Sequence, residues 1–262
     1  MPLRHILLLL LSAMAGLLPS FIHATQLFRN SGTIEGWSSS YIDKGCGGTI
    51  NQSSNIFKTG PSALKMTHTH NPSYTGLYHA EVHAADGYRS KGQTRFYGFW
   101  FRLSETWEFT PGQTFNIAQF IANFPGTCDE WMPSTMVWIQ GNQLWTRRKH
   151  GSLCPRKEKQ QTKEINTNRT VTAGRWHRIV MGVKWASDNT GYLKLWFDEE
   201  KEPAVKEENV PTTIQEDGRF QFRVGLYANG WSEGRYKGGQ PFRQIWFDEI
   251  GMGTDFEDAE SG

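Results

Sequence analysis

The sequence predicts an all-β fold: a β-jelly roll, meaning a two-sheet antiparallel sandwich of the lectin-like kind with one concave sheet. Three observations predict it. Apolar and polar residues alternate through many short segments. Gly, Asn and Asp separate those segments at roughly regular intervals, the pattern of an all-β sandwich or barrel. No window sustains a 3.6-residue apolar period for longer than a turn or two.

Each element follows from local pattern. Arg95 to Leu103 is dense in aromatic residues and reads as a strand. Thr114 to Phe124 alternates, with Gln119, Ile121 and Asn123 on one face and Ala118, Phe120 and Ala122 on the other. Met136 to Gln140 and Gln143 to Arg148 flank Gly141-Asn142, a hairpin with a two-residue turn. Trp176 to Trp185 places Ile179, Met181 and Val183 together. After a turn at Asp188 to Gly191, the segment Tyr192 to Asp198 points Leu193, Leu195 and Phe197 inward. Arg219 to Ala228 and Arg243 to Ile250 complete the set. Glu199 to Pro211 is charged and contains proline, so it reads as a surface loop. The acidic tail from Asp255 is expected to fray. No composition break or repeat divides residues 25–262, which read as one domain.

Residues 1–24 read as a secretory signal peptide. Met1 to His5 is short and basic, Ile6 to Leu18 is apolar, and Ala24 is a small residue before the cut. The apolar run is short for a membrane span, which needs about 20 residues. The mature chain is therefore expected outside the cell, with no membrane segment and as a monomer. The net charge of +2 is too small for a nucleic-acid binder. Three cysteines are present. Outside the cell, one pair and one leftover thiol is the simplest arrangement. Cys128 and Cys154 flank the hairpin and are expected to pair, leaving Cys46. Asn51-Gln-Ser53 and Asn168-Arg-Thr170 are glycosylation sequons.

Two-sheet sandwiches often hold sugars across a concave face. Such a face shows aromatic, amide and charged side chains at alternate positions of several strands. Three segments fit. His79, Glu81 and His83 share one side of Tyr78 to His83; Gln119 and Asn123 share a side of their strand; Arg223, Tyr227 and Asn229 share a third, with Gly225 between them.

These segments, in this order, resemble the alginate-lyase-type jelly rolls. Those enzymes carry an Arg-(Ser/Thr)-Glu-Leu strand, a Gln-(Ile/Val)-His strand and a Tyr-Phe-Lys-Ala-Gly-x-Tyr-x-Gln strand. The counterparts are His79-Ala-Glu-Val82, Gln119-Phe-Ile121 and Gln221 to Asn229. Three positions depart: His79 stands for Arg, Ile121 for His and Asn229 for Gln. The chain more specifically resembles the glucuronan lyases, polysaccharide lyase family twenty. It does so in length, in the strand Phe222 to Asn229, and in the spacing of His79, Gln119 and Tyr227.

The resemblance implies β-elimination on an acidic polysaccharide. Such a lyase removes the proton on C5 beside the carboxylate and expels the oxygen on C4. Donors on that carboxylate stabilise the enolate-like state. Gln119 and His79 are expected to donate; Tyr227 is expected to take the proton as phenolate and return it to the leaving oxygen. A tyrosine ordinarily ionises near pH ~10, so it needs positive charge close by, and Arg223 is two residues away. In β-1,4-linked glucuronate and mannuronate the C5 hydrogen and C4 oxygen share a ring face, so one residue can serve as base and acid. With Ile121 in place of the second motif's His, the pattern favours such a syn substrate. Glu81, Asn123, Arg223, Asn229, Arg147 and Trp231 are the expected substrate contacts. Asp248, in Trp246-Phe-Asp-Glu249, sits where glucuronan lyases by resemblance hold a structural Ca2+. Nothing calls for an organic cofactor.

Each residue also has a plainer reading. A strand tyrosine is commonly a packing residue, and a buried amide needs partners whatever its role. The basic run Arg147 to His150 suits an acidic polymer but also suits a solvated hairpin end. His68 and His70 share a strand face without a visible third ligand. Three functions stay open: a glucuronan lyase, a polymannuronate (alginate) lyase on the same fold, and a non-catalytic carbohydrate-binding lectin. A retaining glucanase needs paired carboxylates at a spacing that Asp198-Glu-Glu200 lacks.

Overall fold

The computed structural model describes residues 25–260 apart from 43, 44, 46 and 89. The expected leader and Cys46 lie outside the described residues. In chain order the strands are β1 (Gln26–Asn30), β2 (Ser39–Ile42), β3 (Thr49–Ser53), β4 (Ala63–Thr69), β5 (His79–Tyr88), β6 (Thr94–Leu103), β7 (Thr114–Asn123), β8 (Trp131–Gln140), β9 (Gln143–Gly151), β10 (Gln160–Thr170), β11 (Trp176–Lys184), β12 (Tyr192–Phe197), β13 (Val205–Glu208), β14 (Phe220–Asn229) and β15 (Phe242–Gly253). Helix α1 (Arg156–Lys159) precedes β10, and α2 (Phe256–Glu260) follows β15.

The strands form two antiparallel sheets, the predicted sandwich. One runs β13-β12-β11-β6-β15-β4-β3, with β1 also paired to β15; the other runs β10-β9-β8-β7-β14-β5-β2. Period-two alternation decides which residues lie between them. Ile179, Met181 and Val183 of β11, Leu193, Leu195 and Phe197 of β12, and Ala118, Phe120 and Ala122 of β7 all enter the core. Phe120 stacks on Phe222 at 5.3 Å. Tyr97 meets Phe120 edge-on at 4.5 Å, and its hydroxyl accepts from Trp185 Nε1 at 2.9 Å. Burying each such ring contributes about 1.5–3 kcal/mol.

The β8–β9 hairpin turns through Gly141-Asn142 as predicted, and Gly141 takes a φ of 57°. The expected disulfide is present: Cys128 and Cys154, with Cα atoms 5.9 Å apart, join the loops that flank this hairpin. Asn51 on β3 and Asn168 on β10 are both exposed.

Two expectations are corrected. Within the supposed loop, Val205–Glu208 forms an edge strand on β12. Its pattern was hidden because only Val205 points into the core, while Lys194 and Lys206 pair with Glu208 outside. The supposed frayed tail is a docked helix. Asp255 Oδ1 accepts from the Asp258 amide at 3.1 Å, and Asp258 Oδ2 accepts from the Asp255 amide at 3.3 Å, a reciprocal cap. Phe256 then packs edge-on against Trp196 at 5.0 Å, and Gly98 admits the Ala259 carbonyl where any Cβ would collide.

His68 and His70 have separate packing roles. His70 stacks on Tyr236 at 3.9 Å. His68 lies between the sheets and donates from Nε2 to the Leu226 carbonyl at 2.9 Å, tying β4 to β14. Burial pushes its pKa down to about 4 from an ordinary 6.5, despite that hydrogen bond. The unfolded chain therefore binds the proton more readily. Stability is intact above the unfolded value and declines as pH falls from about 6.5 to about 4, by up to about 3 kcal/mol. Urea unfolding across that range should show this loss in the wild type and a shallower slope in His68→Gln. Equal slopes would contradict it.

Candidate active site

The second sheet has β14 at its centre, with β7 on one side and β5 on the other. Because Phe222, Val224, Leu226 and Ala228 face the core, Gln221, Arg223, Tyr227 and Asn229 face outward. The same rule turns Ala80 and Val82 inward and His79, Glu81 and His83 outward. Register then sets rows across the strands. Tyr227 is opposite His79 on β5 and Asn116 on β7; Gly225 is opposite Glu81; Arg223 is opposite His83 and Gln119.

The His79 and Tyr227 rings meet edge-on, 3.8 Å between centroids and 88° between planes. Both side chains are half-buried. Beside them Asn229 Nδ2 donates to Asn116 Oδ1 at 2.7 Å. A cavity of about 320 Å³ begins at Tyr227 and Asn229 and extends across Asn116, Trp138, Arg147 and Glu164. Those residues come from β14, β7, β8, β9 and β10, so the cavity runs across the strands. Arg147 Nη2 is steadied by the Pro133 carbonyl at 2.9 Å.

One row along lies a buried charged cluster. Glu81 is only 2% exposed. Its carboxylate accepts from Gln119 Nε2 at 2.7 and 2.9 Å and faces Arg223 Nη1 at 3.5 Å. Arg223 also donates from Nη2 and Nε to Gln221 Oε1 at 2.7 and 3.0 Å. A carboxylate only accepts, so Glu81 sets which end of the Gln119 amide it meets. Gly225 makes the arrangement possible, because a Cβ there would sit 2.4 Å from the Ala80 carbonyl and 2.7 Å from Glu81 Cγ. His83, on the next row, has its pKa lowered first by burial and then by the Arg223 charge.

The structure therefore redistributes the expected roles. Tyr227, Asn229 and Arg147 come together around the cavity, and His79 packs edge-on against the Tyr227 ring. Glu81 lies beneath the surface as a support for Gln119 and Arg223. Arg223 directs its charge at Glu81 and Gln221. Gln119 stands level with Arg223, four residues along β14 from Tyr227, which at ~3.3 Å per residue is about 13 Å. The amide level with Tyr227 is Asn116, which plain alternation from Gln119 puts on the core side. A register shift between Asn116 and Ala118 returns it to the outer face. Asn123 is exposed at the far end of β7. Trp231, expected as a sugar platform, is in the core at 2% exposure, edge-on to Tyr78 at 5.1 Å and to Phe115 at 5.8 Å. Its loop turns inward because these rings, with His70, form a pocket for it.

Asp248 lies on β15 in the other sheet and is fully buried. Its Oδ2 accepts from the Lys58 and Thr59 amides at 2.7 and 3.1 Å, and its Oδ1 from the Glu249 amide at 2.8 Å. Burial raises its pKa, and these three donors act in the opposite direction. Among the described residues no group of three or more His, Cys, Asp or Glu gathers. Calcium, however, also takes backbone carbonyls. A point beside Gly32, where a Cβ would stand, is 2.5 Å from the Ser62 carbonyl oxygen and 2.9 Å from Asp248 Oδ1. The same point is 2.6 Å from Ala63 Cα, so the gap beside Gly32 is closed by backbone and is not a seat for an ion.

Comparison with known proteins agrees with this architecture. The polysaccharide lyase family matches residues 29–251. The crystal structure of an endo-β-1,4-glucuronan lyase from the fungus Trichoderma reesei superposes with a TM-score of 0.84 at 50% identity, covering 90% of this chain and 98% of that one. A PL-14 alginate lyase from the marine Aplysia kurodai superposes with a TM-score of 0.57 at 10% identity, covering 88% and 100%, a likeness of fold alone. Among curated protein sequences none matches.

Removing one partner of a buried ion pair is strongly destabilising, because the other charge stays buried. Glu81→Ala should therefore lower unfolding stability by about 3–5 kcal/mol, and Glu81→Gln, which keeps an acceptor for Gln119, by less. Urea denaturation of the two variants checks this; a Glu81→Ala protein as stable as wild type would refute the role of the cluster.

Proposed function

Since the chain belongs to the polysaccharide lyase family, we propose that it is a secreted glucuronan lyase, cleaving β-1,4-linked polyglucuronate by β-elimination with Tyr227 as base and then acid. The observation that carries this reading is Tyr227, edge-on to His79 and lining a polar cavity. The 50% identical relative named as an endo-β-1,4-glucuronan lyase supports the choice of polymer.

The proposed steps follow from the row containing Tyr227. The uronate to be cut lies over Tyr227, its carboxylate held by donors from His79 on one side and, on the other, from the half-buried Asn229 amide that Asn116 positions. These hydrogen bonds strengthen as charge moves onto the carboxylate in the enolate-like state. The Tyr227 phenolate removes the C5 proton, the C4–oxygen bond breaks, and the phenol returns the proton to the leaving oxygen. The proton count balances with one group. Ile121, buried and without a proton to transfer, stands where the related motif has a histidine. This suits syn elimination, where the proton and the leaving oxygen share a face. Gln119, held by Glu81, is assigned to a neighbouring sugar rather than to the one being cut.

Tyr227→Phe should lose about 10²–10⁴-fold in kcat, the range for a general acid–base group, while still binding polymer. The check is the ultraviolet absorbance of the conjugated double bond, which hydrolysis cannot form. Wild type should act on polyglucuronate first and on polyguluronate least. A faster rate on polyguluronate would overturn the syn assignment, and full activity of Tyr227→Phe would overturn the role of Tyr227.

We propose in addition, on the resemblance, that Asp248 helps hold a structural calcium ion. Chelation should then lower Tm by about 5 °C, restored by added calcium. A chelated protein with unchanged Tm would remove the ion from the account. The exposed sequons at Asn51 and Asn168 suit a secreted chain.

A further inference from the structure

The cavity beside Tyr227 explains only one arm of a binding surface. It crosses β14, β7, β8, β9 and β10. A polymer passing over Tyr227 must also continue the other way, over β5 and β2. The sheet ends at β2, whose Tyr41 pairs with Glu81. Tyr41 is 51% exposed, and its ring lies 5.9 Å from the His79 ring. It also lies 5.7 Å from the Arg223 guanidinium. From the opposite side of β14 comes Trp131, at the start of β8, 47% exposed and 5.5 Å from the same guanidinium. Strands two apart are separated by about 9–10 Å, so both side chains lean inward over Arg223. They are two of the few large apolar side chains left exposed among the described residues.

An exposed aromatic pair on a concave polar face has an energetic cost that packing does not explain. Many aromatic rings among the described residues have found the core, and these two have not. A pyranose offers a compensating partner. One face of a sugar ring is a patch of C–H groups, which an aromatic face attracts and removes from water, while its hydroxyls stay wet. The cation beneath the rings suits a sugar that carries a carboxylate. Neighbouring aromatic and polar groups in one groove are the usual composition of a ligand site.

We propose that Tyr41 and Trp131 form an aromatic subsite over Arg223, on the same concave face as Tyr227, that holds uronate rings of the polymer. This rests on the lyase reading for the identity of the polymer, but the surface can be tested by binding alone.

The test is affinity electrophoresis of the Tyr227→Phe protein through gels containing polyglucuronate, with a neutral β-glucan as comparison. Retardation of this parent by polyglucuronate is expected. Adding Tyr41→Ala and Trp131→Ala should weaken the apparent affinity about tenfold, the equivalent of losing ~1.4 kcal/mol. Tyr41→Phe with Trp131→Phe, which keeps both ring faces, should restore most of it and covers the case of an alanine variant that folds poorly. A parent that is not retarded, or an alanine variant retarded as strongly as the parent, overturns the subsite. The lyase reading is judged separately, by double-bond absorbance of the wild type. Ring-dependent retardation without that absorbance would keep the subsite and remove the lyase.

Discussion

A carboxylate almost without access to water organises the concave sheet. Taking Glu81 out of solvent is costly unless its charge is met and its oxygens are hydrogen-bonded. Arg223 supplies charge, Gln119 supplies hydrogen bonds, and Gly225 supplies the space. These come from three adjacent strands, so the cluster is satisfied in one register only. A slip of β5 against β14 by one residue would turn Glu81 into the apolar core and Val82 outward. The register that satisfies Glu81 is also the register that sets His79 against Tyr227.

The second constraint comes from behind the sheet. His68 reaches from β4 to the carbonyl of Leu226, the residue before Tyr227. The backbone that carries Tyr227 is thus hydrogen-bonded laterally to β5 and β7 and from below by an imidazole. Side chains on such a backbone lose little further freedom when a ligand arrives, which is the value of placing a site on strands rather than loops. Rigidity on the floor contrasts with the walls. Tyr41 sits on the edge strand β2 and Trp131 at the very start of β8, where fewer neighbours confine the side chain.

Period-two patterning made much of this readable in advance. It located β6, β7, β8, β9, β11, β12, β14 and β15, and it put His79 and Tyr227 on outward faces. The disulfide followed from the hairpin it flanks. Where the pattern misled, a specific physical event intervened. The bulge before Ala118 reversed the face of Asn116, so alternation did not place an amide level with Tyr227. Glu81 and Arg223 were read as surface contacts because alternation gives a face but no depth, and a paired charge can be buried where a lone one cannot. Trp231 was read as a loop platform because nothing local reveals that His70, Tyr78 and Phe115 converge on it from three other parts of the chain. Tyr41 lies in a strand of four residues, too short for a pattern to form.

The charge arrangement bears on how Tyr227 would act as the proposed base. Arg223 was the expected source of positive charge, yet its field is largely cancelled by Glu81 a row away from Tyr227. What remains in the tyrosine's own row is His79 at ring contact, with Asn116 and the Asn229 amide on the other side. Neither amide carries charge. In the proposed reaction, the His79 imidazole at ring contact and the Arg147 guanidinium lining the same cavity are the groups that would favour the phenolate. An anionic substrate raises the cost of a phenolate beside it, so a donor shared between the two anions offsets their repulsion at the point where it is greatest. His79 in place of the related arginine is consistent with that shared position. An imidazole is compact enough to touch the tyrosine ring at 3.8 Å, whereas a guanidinium on a longer stem would reach past it.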